Sequence, residues 1–359
     1  MNSLYVHLPF CKSLCHYCDF IKFVYQEKWI KPYLEALKRD LERFFPTSLA
    51  TIYLGGGTPT CLELEELESL LVLLSKYSKG VKEYTCEANV ETLTKEKLLL
   101  LRRYGVNRLS LGVQTFNDEI LKKIGRRHSK KDVYQAIKLA KEVGFKNISI
   151  DLIYGLPKQT LEDVKCDLKE ATKLDIEHIS YYSLLICPNT VAHLSSWEEA
   201  GEDKEAAMYE LILNTLEKNG FMRYEVSNFS KPGFESLHNL TYWENREYYG
   251  VGYGASGYLN RVRYSIGGSF SSYLNGKAEI QEEIIDDATY RDEYLMLNLR
   301  LTKGFLLSDY ENKIKEPFPL NSQIVTRLIS EGFLKIENGR VSCTRESLIK
   351  LDYILRKII

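Results

Sequence analysis

The sequence has no long hydrophobic run and almost no net charge. Its longest apolar stretches, at 70–74 and 98–101, are far shorter than the roughly 20 residues that cross a bilayer, so no membrane span is expected. Forty-eight Lys and Arg residues against 49 Asp and Glu leave a net charge of −1, which argues against a nucleic-acid partner. A signal peptide is not recognisable, because the apolar segment 5–10 is too short. We therefore expect a cytoplasmic protein.

Most of the eight cysteines have no metal-site spacing. Five are scattered singly along the chain: Cys61, Cys86, Cys166, Cys187 and Cys343. Reduced and mostly buried thiols are their expected state, as in other cytosolic proteins. The remaining three, Cys11, Cys15 and Cys18, lie together near the N-terminus and form the most informative feature of the sequence.

These three cysteines supply one thiolate fewer than the four that normally close an iron-sulfur or zinc site. On an iron-sulfur cluster, one iron would remain open to a ligand with amino and carboxylate groups, such as the methionine end of S-adenosylmethionine (SAM). Zinc is the alternative. It would need a fourth ligand, which His7, His16 or Asp19 could provide.

Short β-rich segments alternate with helical patterns through the first half of the chain. Because successive βα units form a parallel sheet, the sequence predicts an α/β fold with a closed or partial (β/α) barrel, whose function collects at the C-terminal ends of the strands. The predicted strands are 4–8, 51–54, 83–87, 108–112, 147–153 and 178–185. The predicted helices are 30–44, 63–77, 94–104, 118–124, 131–143 and 161–174.

Further polar and glycine-rich motifs follow these strands. Residues 55–60 (GGGTPT) allow a close backbone approach, either for a ligand or for a tight strand-to-helix turn. Glu87 ends the third predicted strand, Gln114 follows the fourth and Asp151 lies inside the fifth. A carboxylate in an apolar strand needs a partner, so each is either a ligand contact or half of a structural ion pair.

Four motifs together resemble the oxygen-independent coproporphyrinogen III oxidase family of radical SAM proteins. They are 5–11 (YVHLPFC), 55–60 (GGGTPT), 108–114 (RLSLGVQ) and 150–160 (IDLIYGLPKQT). The resemblance implies that Cys11, Cys15 and Cys18 bind a 4Fe-4S cluster. It also implies one-electron reduction by a low-potential donor, such as a flavodoxin or ferredoxin, and cleavage of SAM to methionine and a 5′-deoxyadenosyl radical.

The same resemblance assigns SAM contacts residue by residue. Positions that contact the SAM on the cluster in this family are matched by Tyr5, Gly56 and Glu87, with Glu87 expected near the ribose. Positions that contact a second SAM are matched by Tyr17, Gly57, Thr58, Gln114, Arg126 and Asp151. Arg126 is matched through a less distinctive stretch, and Arg126-Arg127 would otherwise be interpreted as a solvated surface pair.

Two departures indicate the haem-chaperone branch of this family. The oxidases typically carry a further cysteine two residues after the third ligand, where this sequence has Phe20. They also carry an N-terminal extension, whereas only 1–4 precede Tyr5 here. The resemblance therefore implies that the protein binds haem and passes it to a haem-accepting protein. Oxidative decarboxylation of coproporphyrinogen III and a zinc-stabilised binding module are the alternatives.

Residues 238–243 (HNLTYW) resemble a motif of that branch, and His238 is a candidate haem contact. A histidine beside aromatic residues is otherwise a packing residue. The following 252–257 (GYGASG) fits a dinucleotide fingerprint, but no βαβ unit surrounds it and 258–265 is predicted as a strand. We interpret it as a turn, with SAM or haem contacts as a further option.

The pattern changes again after 284. Helices at 290–301, 322–331 and 346–356, with a hairpin at 333–344, predict a small winged-helix-like domain. No Lys/Arg stripe dominates it, so packing on the barrel or covering its site is expected rather than DNA binding. The predicted division is a radical SAM partial barrel at 1–230, a connecting region at 231–284 and a C-terminal accessory domain at 285–359.

Overall fold

The computed structural model describes residues 2–359, in which strands and helices alternate as the sequence pattern predicts. The strands in chain order are β1 (Asn2–Leu8), β2 (Phe10–Cys11), β3 (Phe23–Val24), β4 (Leu49–Gly56), β5 (Glu83–Asn89), β6 (Arg108–Gln114), β7 (Asn147–Tyr154), β8 (His178–Ser183), β9 (Met222–Arg223), β10 (Asn228–Ser230), β11 (Tyr248–Val251), β12 (Ser256–Leu259), β13 (Val262–Gly267), β14 (Glu279–Ile284), β15 (Phe305–Leu306), β16 (Leu334–Glu337) and β17 (Arg340–Cys343).

Most of the helices begin after a side chain that caps them, and several end shortly before a glycine. They are α1 (Glu27–Phe44), α2 (Leu64–Ser75), α3 (Lys95–Arg103), α4 (Asp118–Lys123), α5 (Lys130–Glu142), α6 (Leu161–Ala171), α7 (Val191–Leu194), α8 (Glu202–Lys218), α9 (Leu237–Trp243), α10 (Phe270–Leu274), α11 (Asp287–Asn298), α12 (Leu307–Ile314), α13 (Gln323–Ser330) and α14 (Leu351–Ile358). Helix α6, for example, begins with a reciprocal capping box between Thr160 and Asp163.

One twelve-stranded sheet carries the fold, in the order β14-β13-β12-β11-β1-β4-β5-β6-β7-β8-β10-β9. The six predicted strands are its parallel centre, and β11 pairs in parallel with β1. Antiparallel strands extend both sides, and β14 and β9 are not paired with each other. The partial barrel is therefore confirmed.

The segment predicted as one strand at 258–265 is instead a hairpin. Strands β12 and β13 pair antiparallel, and Asn260 and Arg261 between them both have positive φ, at 50° and 63°. Two central residues with left-handed backbone conformation form the tight two-residue turn that suits the right-handed twist of paired strands. The preceding Gly-rich segment is a turn between β11 and β12, so the expectation that it is no dinucleotide fingerprint is confirmed.

The C-terminal region forms its own hydrophobic cluster, which includes Tyr294, Phe305 and Tyr310. Its element order, α11-β15-α12-α13-β16-β17, is that of a winged helix, and β15, β17 and β16 form a small separate sheet. The predicted hairpin is present and turns at Asn338-Gly339, where both φ values are positive. The last predicted helix differs in detail: a 3-10 turn precedes α14.

None of the helices in the described residues, 2–359, is both long and apolar enough to cross a membrane.

Candidate cofactor site

The parallel strands separate polar from apolar side chains. On β6, Leu109 and Leu111 are fully buried in the main core, whereas Arg108 and Ser110 line a cavity on the other face. Side chains alternate along a strand, so each strand has one face toward the helices and one toward the barrel interior. The interior of this barrel is thus polar, unlike the apolar interior of an ordinary closed barrel.

A first cavity of about 500 Å³ extends from the cysteine loop into this interior. Eleven of the thirteen residues that the sequence singled out line it. They are Cys11, Cys15, Tyr17, Cys18, Gly56, Gly57, Thr58, Glu87, Gln114, Arg126 and Asp151. Its volume lies in the range of small-molecule and cofactor sites.

A second cavity of about 490 Å³ adjoins the first and contains the other two predicted residues, Tyr5 and His238. Gly56 and Glu87 line both cavities, as does Phe20 from the cysteine loop. Several tyrosines line the second cavity: Tyr5, Tyr53, Tyr242 and Tyr248. The predicted site residues therefore surround two neighbouring spaces with a common wall.

The cysteine loop is closed at its base by two short strands. Strands β2 and β3 pair in parallel, with Cys11 opposite Val24. Cys11 Sγ accepts from Thr58 Oγ1 at 3.6 Å, and Cys15 Sγ accepts from Arg126 Nη1 at 3.4 Å. Burial raises the pKa of the Cys11 thiol to about 11, so its thiolate needs a bound cation.

The three thiols share the wall of one cavity, and Cys15 and Cys18 both raise the pKa of Cys11. His7, a proposed fourth zinc ligand, uses Nδ1 for Tyr5 and Nε2 for the carbonyl of Ile21.

The triple-glycine turn lies directly under the cysteine loop. The amides of Gly57 and Thr58 donate to the carbonyls of Leu8 and Phe10, over 2.8 and 2.7 Å. A Cβ on Gly57 would lie 2.5 Å from the Phe10 carbonyl oxygen. Gly56 has φ +101°, and a Cβ there would lie 2.4 Å from the His7 ring. The glycines are thus required by the tight turn, which also forms part of both cavity walls.

Glu87 is held in the wall between the two cavities. Its Oε1 accepts from Tyr53 at 2.8 Å, and its Oε2 accepts from the Gly56 amide at 3.0 Å. Burial raises the pKa of this carboxyl to about 7 in spite of these bonds. No salt bridge to Glu87 is found in the described part of the chain, although the charge of Arg108 offsets part of the rise in its pKa.

Asp151 and Arg126 meet near Gly112 of β6 in the wall of the first cavity, where Asp151 pairs with Gly112 across the strands. Asp151 accepts from Ser110 Oγ at 3.1 Å, and burial raises its carboxyl pKa. Arg126 donates from Nη2 to the Gly112 carbonyl, so it is buried in the site and is not a solvated surface residue. Gln114 has φ +68° at an irregularity in the β6–β7 pairing, which turns it toward the cavity.

His238 lies at the edge of the second cavity but is occupied by the protein itself. It is 1% exposed, with Nδ1 2.7 Å from Thr51 Oγ1 and Nε2 2.8 Å from the Tyr242 hydroxyl. Its ring stacks on Tyr53 at 5.0 Å, and burial lowers its pKa to about 3. Because both ring nitrogens are engaged within the protein, this geometry favours the packing alternative over the predicted haem contact.

Other residues of the 238–243 motif point in different directions. Trp243 lines neither cavity, and the Arg300 guanidinium lies 4.4 Å from its ring centroid. Asn239 instead lines both cavities.

Sequence reasoning missed Asn239 and the buried Arg108. The sequence did contain a signal for Arg108. It lies two residues before Ser110 in the motif at 108–114, and alternate residues of a strand share a face.

Comparisons with known proteins agree with this architecture. The radical SAM superfamily model matches 5–171, and the HemN C-terminal domain model matches 285–348. A protein of Lactococcus lactis named heme chaperone HemW is 43% identical over 96% of this chain and 93% of its own length. A HemW of Bacillus subtilis is 42% identical, over 96% of both chains. The chain belongs to the HemW family of radical SAM proteins.

The fold of this HemW-family chain is also found in a solved structure. Coproporphyrinogen III oxidase, HemN, of Escherichia coli superimposes with a TM-score of 0.84. The alignment covers 99% of this chain and 89% of that chain at 21% sequence identity. At that identity, the likeness concerns the fold alone.

Proposed function

We propose that this protein is a haem chaperone, which binds haem and delivers it to a haem-accepting protein in the cytoplasm. The observation that carries the proposal is the near full-length identity of 43% and 42% to two proteins named heme chaperone HemW. Phe20 supports it, because this side chain stands at the position of the oxidases' additional cysteine and lines both cavities. Haem is the cargo rather than a resident cofactor.

In this proposal, Cys11, Cys15 and Cys18 hold a 4Fe-4S cluster. The donor set fits, because three thiols around one cavity leave room for a ligand on the remaining iron. When bound, the cluster supplies one-electron chemistry that can split SAM, after reduction by a flavodoxin or ferredoxin. Arg126 would donate to Cys15, and Thr58 to Cys11, which orients these two side chains within the loop.

SAM would occupy the space next to the cluster. Tyr5, Gly56 and Glu87 would contact a first molecule, with the Glu87 carboxyl as a hydrogen-bond partner of ribose hydroxyls. A second molecule would contact residues that line the first cavity: Tyr17, Gly57, Thr58, Gln114, Arg126 and Asp151. The tight turn under the cysteine loop would bring the two sets together.

A haem-transfer experiment tests the proposal. The anaerobically reconstituted protein is loaded with haem, separated from free haem and mixed with the apo form of an acceptor haem protein. The expected result is transfer at a rate above that of haem released to bulk solvent, followed through the acceptor's Soret band. A protein that binds no haem, or releases it no faster to the acceptor than to solvent, would contradict the proposal.

A further inference from the structure

Arg108 is a buried cation in the barrel interior to which no role has been assigned. It is the first residue of β6, it is 1% exposed and it lines the first cavity. Its guanidinium forms no hydrogen bond and no ion pair with any of residues 2–359, and its Nε is enclosed without a partner. A guanidinium has five N–H donors and stays charged at every physiological pH.

The two carboxylates that act most directly on Arg108 form their hydrogen bonds with other groups. Glu83 and Asp151 both raise the pKa of Arg108. However, Glu83 accepts from the amides of Leu237 and His238, over 2.9 and 3.0 Å, and so caps the N-terminus of α9. Asp151 accepts from Ser110. The other groups that interact electrostatically with Arg108 are Glu87, Tyr53, Tyr224, His178 and His238.

Glu83 and Asp151 compensate the charge of Arg108 at a distance, but buried N–H donors without acceptors are costly, and folded proteins rarely keep them unless a ligand supplies the partner. A carboxylate suits a guanidinium best, because it can accept two parallel hydrogen bonds. Because Arg108 lines the first cavity, its unbonded donors are arranged to receive a carboxylate from a ligand there.

We propose that Arg108 binds a carboxylate of the ligand in the first cavity. The identity of that ligand rests on the proposed function, which offers two sources of the same chemistry: a propionate of haem and the α-carboxylate of the second SAM molecule. Arg108 then selects for ligands that bring a carboxylate to the inner part of the barrel.

The experiment compares Arg108→Gln with the wild-type holoprotein. Affinities are measured anaerobically for haem, haem dimethyl ester, SAM and decarboxylated SAM. If a propionate is the partner, Arg108→Gln weakens haem binding about 10- to 100-fold and leaves the ester unchanged. If SAM is the source, the variant weakens SAM by the same factor and leaves decarboxylated SAM unchanged. Arg103→Gln, whose side chain is 74% exposed on α3, is the control.

Because Glu83 stabilises the charge of Arg108, Arg108→Gln should lower the melting temperature of the ligand-free protein whether or not the guanidinium binds a ligand. The paired ligands decide instead, since a purely structural role would weaken haem and its ester alike, and SAM and decarboxylated SAM alike. Arg108→Lys keeps the charge without the bidentate geometry, so its ligand affinity should lie between those of the wild type and Arg108→Gln. It should also stay folded, and it therefore replaces Arg108→Gln if that variant is unstable. The inference is overturned if Arg108→Gln changes neither the affinity for haem relative to haem dimethyl ester nor the affinity for SAM relative to decarboxylated SAM. A wild-type protein that binds no haem contradicts the proposed function alone, and the SAM arm then still tests Arg108.

Discussion

The Tyr53 hydroxyl donates to Glu87 Oε1 over 2.8 Å in the wall that separates the two cavities. The Gly56 amide donates to the other carboxyl oxygen, so two residues of β4 and one residue of β5 form one unit. Because this unit faces both cavities, the protonation of Glu87 affects each of them. The buried carboxyl has a pKa of about 7.

The first prediction concerns pH and stability. Glu87 has a folded pKa of about 7 against an ordinary value of 4.5, so the folded state binds more protons between these values. The free energy of unfolding should therefore fall as pH rises from about 4.5 to 7. Glu87→Gln should reduce this fall, since an amide does not titrate.

Denaturant titrations of the ligand-free protein across that pH range measure the effect. Asp167, whose pKa burial also raises to about 7, contributes a similar slope that remains in the variant. Glu162→Gln, exposed on α6, is the control and should leave the slope unchanged. An identical slope in Glu87→Gln and wild type would show that Glu87 is ionised throughout.

The second prediction concerns the cluster ligands. Replacing Cys15 with Ala removes one of three thiolates, so the reconstituted protein should lose the 4Fe-4S centre and SAM cleavage. Iron and sulfide analysis with electron paramagnetic resonance measures this. Cys166→Ala is the matched control, because that thiol is exposed on α6 away from the loop. Four irons per chain and normal SAM cleavage in Cys15→Ala would refute the assignment.

The third prediction concerns His238. His238→Ala loses two side-chain hydrogen bonds and the stack on Tyr53, so we expect a loss of about 2–4 kcal/mol in the free energy of unfolding. Haem affinity per folded molecule and the Soret spectrum should stay unchanged. Asn239→Ala is the comparison, because its side chain lines both cavities, and it should weaken ligand binding with less effect on stability. A shifted Soret band in His238→Ala would instead support iron ligation.

Local sequence patterns were sufficient for the parallel half of the fold. All six predicted strands and their helices are present, because alternation and glycine stops after α3 and α5 are local signals. The hairpin between β12 and β13 was missed. Its turn residues, Asn260 and Arg261, are not the usual Asn-Gly pair, so the turn depends on the neighbouring strands.

The site was predictable where motifs lie at strand ends and unpredictable where distant segments meet. The cysteines and the glycine turn are adjacent because β1 and β4 are neighbours in the sheet. The orientation of His238, in contrast, follows from Glu83, which caps α9 from another strand. A contact between residues 155 positions apart has no local signature. The same holds for Arg108, whose missing partners are visible only in three dimensions.

The central claim, a haem chaperone rather than an oxidase, is tested most directly by one parallel assay. The anaerobically reconstituted wild-type protein is given haem in one arm and coproporphyrinogen III, SAM and a reductant in the other. We predict stoichiometric haem binding without release of carbon dioxide from the porphyrinogen. Catalytic decarboxylation to protoporphyrinogen would contradict the account.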